Sequence, residues 1–90
     1  MAIETPFTNT YISTATTTPI KSGHGVLASI TVSETAAGAI TVYDNTAASG
    51  TVLAVLKASV AEQTFVFNVS FNTGLTVVTA AASKISVSSR

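Results

Sequence analysis

The chain has 90 residues, no formal net charge, 9% charged residues and no cysteine. One small domain is what that length accommodates. The four cations, Lys21, Lys57, Lys84 and Arg90, are scattered, so no cluster exists to displace counterions from phosphates, and nucleic-acid binding is not expected. Without cysteine there are no disulfides or thiolate metal sites, and no apolar run approaches the ~20 residues of a membrane helix.

Composition favours strands. Ser and Thr make up about 30% of the chain, well above ordinary usage. Thr and Val are β-branched and fit a pleated surface better than a helix. The start, Met1-Ala2-Ile3-Glu4-Thr5-Pro6, lacks the basic-then-apolar pattern of a signal peptide.

Residues 1–20 contain Pro6, Pro19 and the polar run Ser13-Thr14-Ala15-Thr16-Thr17-Thr18. Proline keeps the backbone extended, so this segment reads as an N-terminal arm or an edge strand. Phe7, Tyr11 and Ile12 are its candidate partner-binding anchors. Residues 21–90 read as the sandwich domain itself. Val26, Ala28, Ile30 and Val32 alternate with Ser29, Thr31 and Ser33, a strand. A loop at 35–38 precedes a second alternating strand, Ile40 to Tyr43. Asp44 to Gly50 is a turn rich in residues that tolerate unusual backbone angles. Thr51 to Lys57 is nearly all apolar and predicts a strand buried on both sides. Phe65, Phe67, Val69 and Phe71 alternate with Thr64, Val66, Asn68 and Ser70 and predict an inward core face. Asn72-Thr73-Gly74 is a turn, and strands follow at 75–79 and 84–88. Short strands at this spacing predict an all-β fold, a small antiparallel β-sandwich of jelly-roll type with about six to eight strands.

Catalytic patterns are weak. Gly23-His24-Gly25-Val26-Leu27-Ala28 fits a loose dinucleotide motif, but that motif requires a helix where Ser29-Ile30-Thr31-Val32 predicts a strand. His24 is the only histidine; a triad with Asp44 and one of many serines can be drawn, yet a triad is defined by geometry. Glu34 and Asp44 end successive strands and read as solvated ends rather than a glycosidase pair. Asp44-Asn45 supplies too few oxygens for a hard cation. The expectation is no enzyme, no catalytic residue, no cofactor and no metal.

Several stretches resemble small virion proteins of tailed bacteriophages: Ser22-Gly23-x-Gly25-Val26-Leu27, Ile40-Thr41-Val42-Tyr43-Asp44-Asn45, Ala48-Ser49-Gly50-Thr51-Val52-Leu53 and Gly74-Leu75-Thr76-Val77-Val78-Thr79-Ala80. The resemblance covers residues 22–88. It implies a capsid cement or decoration protein that sits in the virion and binds the major capsid protein or another virion protein. Alternatives are a neck, tail or head-fibre component, or a carbohydrate- or receptor-binding module. Low charge gives little electrostatic protection against association, so a homo-oligomer is expected, with neither nucleic acid nor membrane as partner.

Overall fold

The computed structural model describes residues 7–90, so Glu4 and Pro6 lie outside the described residues. Eight strands form: β1 (Thr8–Ile12), β2 (Thr17–Ser22), β3 (Gly25–Glu34), β4 (Ile40–Asp44), β5 (Thr51–Leu56), β6 (Thr64–Phe71), β7 (Gly74–Thr79) and β8 (Lys84–Ser89). They make two four-stranded antiparallel sheets, ordered β1-β8-β3-β6 (sheet 1) and β2-β7-β4-β5 (sheet 2). Every connection except the β4–β5 hairpin passes from one sheet to the other. This is the double-sheet jelly roll, an all-β sandwich.

The core is the set of side chains on the two inner faces. Leu27, Ile30, Val32, Ile85, Val87 and Phe71 come from sheet 1, and Ile40, Val42, Leu56, Leu75 and Val77 from sheet 2. In β8 the alternation is complete: Ile85 and Val87 are fully buried while Ser86 and Ser88 face outward, half-buried. In β6 the predicted inward face is present but unequally covered. Phe71 is 1% exposed, whereas Phe65, Phe67 and Val69 are half-buried against the core. The cause is position: β6 is an edge strand, so one flank of its inner side chains lacks a neighbour.

One expectation changes. The segment 51–57 is not buried on both sides. β5 is the edge of sheet 2, and Val52 and Val55 are 49% and 58% exposed. Its continuous apolar run arises from a bulge. Val42 pairs with Ala54 and Tyr43 with Val52, leaving Leu53 as an extra residue. That insertion shifts the in-out phase, so that Leu53, Ala54 and Leu56 all pack on the core. Of the two readings of the N-terminal segment, arm or edge strand, its described residues form edge strands, and β2 runs across residue 20. β1 and β2 are edge strands of sheets 1 and 2. Pro19 fits there because an edge position need not donate a ladder hydrogen bond. The Thr-rich link between them is tied down by Thr79, whose hydroxyl donates to the Thr14 carbonyl at 2.6 Å and accepts from the Thr16 N–H at 3.0 Å.

The ends of the sandwich close through specific contacts. At one end Asp44 reaches across to the β6–β7 turn. Its carboxylate accepts from the backbone N–H groups of Asn72 at 3.0 Å, Thr73 at 2.8 Å and Gly74 at 3.4 Å. At the same end Val26 and Arg90 exchange both backbone hydrogen bonds, which brings the chain terminus over Gly25. A Cβ on Gly25 would lie 2.6 Å from the Phe71 ring and also strike the Arg90 carbonyl. Gly25 is therefore required by close approach of its neighbours.

Two outcomes follow. Gly25→Ala must displace Phe71 or the Arg90 backbone, so it is expected to cost about 1–3 kcal/mol, the range of core overpacking, measured by denaturant unfolding. The second concerns pH. The Thr73 and Asn72 N–H groups, then Gly74, hold the Asp44 carboxyl below its ordinary value of 3.8. A depressed folded-state pKa stabilises the fold at pH above the unfolded value, and that contribution disappears as pH falls through the folded value. Wild type is therefore expected to lose more thermal stability than Asp44→Asn between pH 5 and pH 2. Parallel melting curves of the two proteins across that range would contradict the assignment.

Candidate functional site

Each described carboxylate is engaged in a local structural contact. Glu34 Oε2 lies 3.2 Å from Lys84 Nζ in an exposed pair, and Glu62 Oε2 accepts from the Thr35 N–H at 3.1 Å. Asp44 is occupied by the turn N–H groups described above. Those N–H dipoles point at the carboxylate and repel a cation, and Asn45 Oδ1 accepts from the Thr46 N–H at 2.8 Å, so the Asp44-Asn45 pair is not arranged as a calcium ligand set. Among the described residues no group of three or more His, Asp or Glu side chains is placed to hold a metal ion.

Glu34 and Asp44 cannot share a cleft. Gly23 N–H donates to the Thr73 carbonyl, which places the Asp44-bound turn at the start of β3. Glu34 closes the other end of that ten-residue strand, roughly 30 Å away at ~3.4 Å per residue. His24 is exposed in the β2–β3 turn beside Gly23, whose φ of 91° makes the turn tight. The Gly-x-Gly there is a strand-to-strand turn, without the helix a dinucleotide would need.

The three predicted anchors separate into two environments. Phe7 and Tyr11 are 47% and 57% exposed, and the Arg90 guanidinium lies 4.6 Å from the Phe7 ring centre. Ile12 is 4% exposed within the core cluster and pairs with Ile85. Its side chain is committed to the interior and is not offered to a partner.

The feature that stands out is the outer face of sheet 2. Strand register places two rows across it. One runs Thr17, Val78, Thr41, Val55, and the next Pro19, Thr76, Tyr43, Val52. Their sequence neighbours Val42, Leu56 and Val77 point into the core, so these rows point away from it. Neither row holds an ionisable group other than the Tyr43 phenol; Lys21, Asp44 and Lys57 lie at strand ends. Tyr43, Val52, Val55 and Val78 are the apolar members of these rows, Tyr43 opposite Val52, with Thr41 between Val55 and Val78. Thr76 is fully buried in this face, its hydroxyl donating to the Asn45 carbonyl at 2.7 Å. The corresponding rows of sheet 1 are hydroxyl-rich at their centre, with the exposed Tyr11 and Val66 at the two edges: Tyr11, Ser86, Thr31, Thr64, and Asn9, Ser88, Ser29, Val66. The Thr31 and Thr64 hydroxyls are hydrogen-bonded at 3.0 Å. Sequence reading singled out the apolar run containing Val52 and Val55. It gave no sign that Tyr43 and Val78 share a face with them, because only register aligns those residues with β5.

No protein-family model and no curated protein sequence matches the chain. A solved structure does: the NLP core of Drosophila, a structure concerned with pentamer formation and histone binding, at 18% identity and a TM-score of 0.57, covering 94% of this chain and 96% of that one. This finding overturns the expectation of a phage cement or decoration protein on the major capsid protein. Nothing in the comparisons connects the chain with capsid, neck, tail or fibre components, or with a carbohydrate- or receptor-binding module. The physical reason for the misreading is that Gly/Asn turns and alternating β-branched strands are demanded by any small antiparallel sandwich. The likeness spans nearly the whole of both chains and establishes a shared fold.

Proposed function

We propose that this protein is a non-catalytic assembly module that works as a cyclic homo-oligomer. The observation that carries this reading is the end-to-end fold agreement with a core studied for its pentamer formation. The surface chemistry supports it. A chain with no net charge and few ionisable groups meets copies of itself with little electrostatic repulsion. A small domain also has a limited core of its own, and burying outer apolar area between copies adds to it.

The neighbour's histone binding supports a second reading, in which the assembled ring holds a basic polypeptide. The carboxylates here oppose it, since Glu34, Asp44 and Glu62 are already engaged within the fold. Charge-driven capture of a histone needs free anions, and its affinity would fall steeply with added salt.

Light scattering coupled to size exclusion tests the main reading. The expected mass is about five times the 9.1 kDa chain, stable on dilution to low micromolar concentration. A 9.1 kDa particle throughout would refute it. For the second reading, labelled histone dimers are titrated in at 50 mM and 300 mM salt. Salt-sensitive binding would support it, and no binding at the lower salt would exclude it.

A further inference from the structure

Building on the oligomeric reading above, we infer that the outer face of sheet 2, centred on Tyr43, Val52, Val55 and Val78, is the subunit interface and is covered by a second copy of this chain. Register places the four on one face of three adjacent strands: Tyr43 lies opposite Val52, and Thr41 lies between Val55 and Val78. Val52 and Val55 are about half exposed although the sandwich has interior positions for valine. Exposed apolar surface that is contiguous, rather than scattered, marks a contact site.

Charge selects the occupant. The face contributes no cation and no carboxylate, so it attracts neither a nucleic acid nor a basic or acidic polypeptide. A partner surface that loses little on desolvation against it must itself be almost free of charge. This chain has such a surface in the hydroxyl-rich rows of sheet 1, which carry no ionised group either. The edges agree. The β2 edge is blunted by Pro19 and Lys21, two devices that discourage further association. The β5 edge, Thr51–Leu56, has neither proline nor charge. In a closed ring of more than two copies each subunit uses two different patches, one toward each neighbour. Every contact in the ring then includes one sheet 2 face, and a single substitution there reaches all of them.

The test is Val55→Glu, which places a charge at a position 58% exposed in the isolated chain, with Val66→Glu as a second variant that probes the outer face of sheet 1 at a position 68% exposed. Mass is measured by light scattering and folding by circular dichroism. The expected result is that Val55→Glu stays β-rich but falls to the 9.1 kDa monomer. Val66→Glu reports whether sheet 1 supplies the opposing patch: if it keeps the wild-type mass the opposing patch lies away from Val66, and if it too dissociates the sheet 2 face abuts sheet 1. Val52→Glu, on the same face as Val55, serves in its place should Val55→Glu not fold. If wild type is oligomeric and both sheet 2 variants retain its mass, this interface is wrong while the oligomeric reading stands. If wild type is itself a monomer, the oligomeric reading falls and takes the interface with it.

Discussion

Sheet 1 depends on the insertion of β8 between β1 and β3. Ile85 and Val87 have no exposed surface, and each sits in a row that crosses the sheet. Ile85 lies between Ile12 and Val32, and Val87 between Thr10 and Ile30. Without β8, β1 has no hydrogen-bonding neighbour and β3 loses one of its two. The inner surface of sheet 2 would then face a gap, because Leu75, Val77, Ile40 and Val42 are buried against that layer. The jelly-roll order makes this dependence unavoidable, since nearly every strand pairs with one distant in sequence.

Around that layer the chain distributes its polar groups by location. Inner faces are aliphatic, with Phe71 as the single large ring fully buried in them. The carboxylates and their partners lie at the ends and rim, where Asp44 binds a turn and Glu34 pairs with Lys84. An exposed ion pair of this kind contributes at most about 1 kcal/mol, so burial carries the stability and charge adjusts the ends. The two outer faces then differ for a simple reason. On sheet 1 the outward positions of β3 and β8 are Ser29, Thr31, Ser86 and Ser88; on sheet 2 those of β4, β5 and β7 include Tyr43, Val52, Val55 and Val78.

Much of this fold was legible in the sequence. Strands β3, β4, β6, β7 and β8 announce themselves by two-residue alternation, and the turns at 44–50 and 72–74 by their Asn, Asp and Gly. Two strands were harder, for different causes. β2 begins inside a Thr-rich run and contains Pro19, both of which read as connector. β5 read as doubly buried because the Leu53 bulge breaks its alternation. Ile12 looked like an anchor for a partner because its strand partner, Ile85, lies 73 positions away. The same limit applies to the proposed site: whether a valine lies at an edge or in the centre of a sheet is decided by remote segments. Function was least legible, since hydroxyl-rich strands and glycine turns describe an architecture and not a ligand.

The position of β8 also has a bearing on biosynthesis. Because β1 pairs only with β8, the first strand made waits for the last before it gains a neighbour in its sheet. Sheet 1 closes only once β8 is made, so β1 stays without a neighbour in its sheet and β3 keeps one open edge while the strands between them are synthesised. Long-range pairing of this sort is slow to form and open to misassociation meanwhile. Sparse charge also gives the unfinished chain little repulsion from its siblings on a polysome. Production of this protein is therefore sensitive to how crowded its nascent chains are, independently of how stable the completed sandwich becomes.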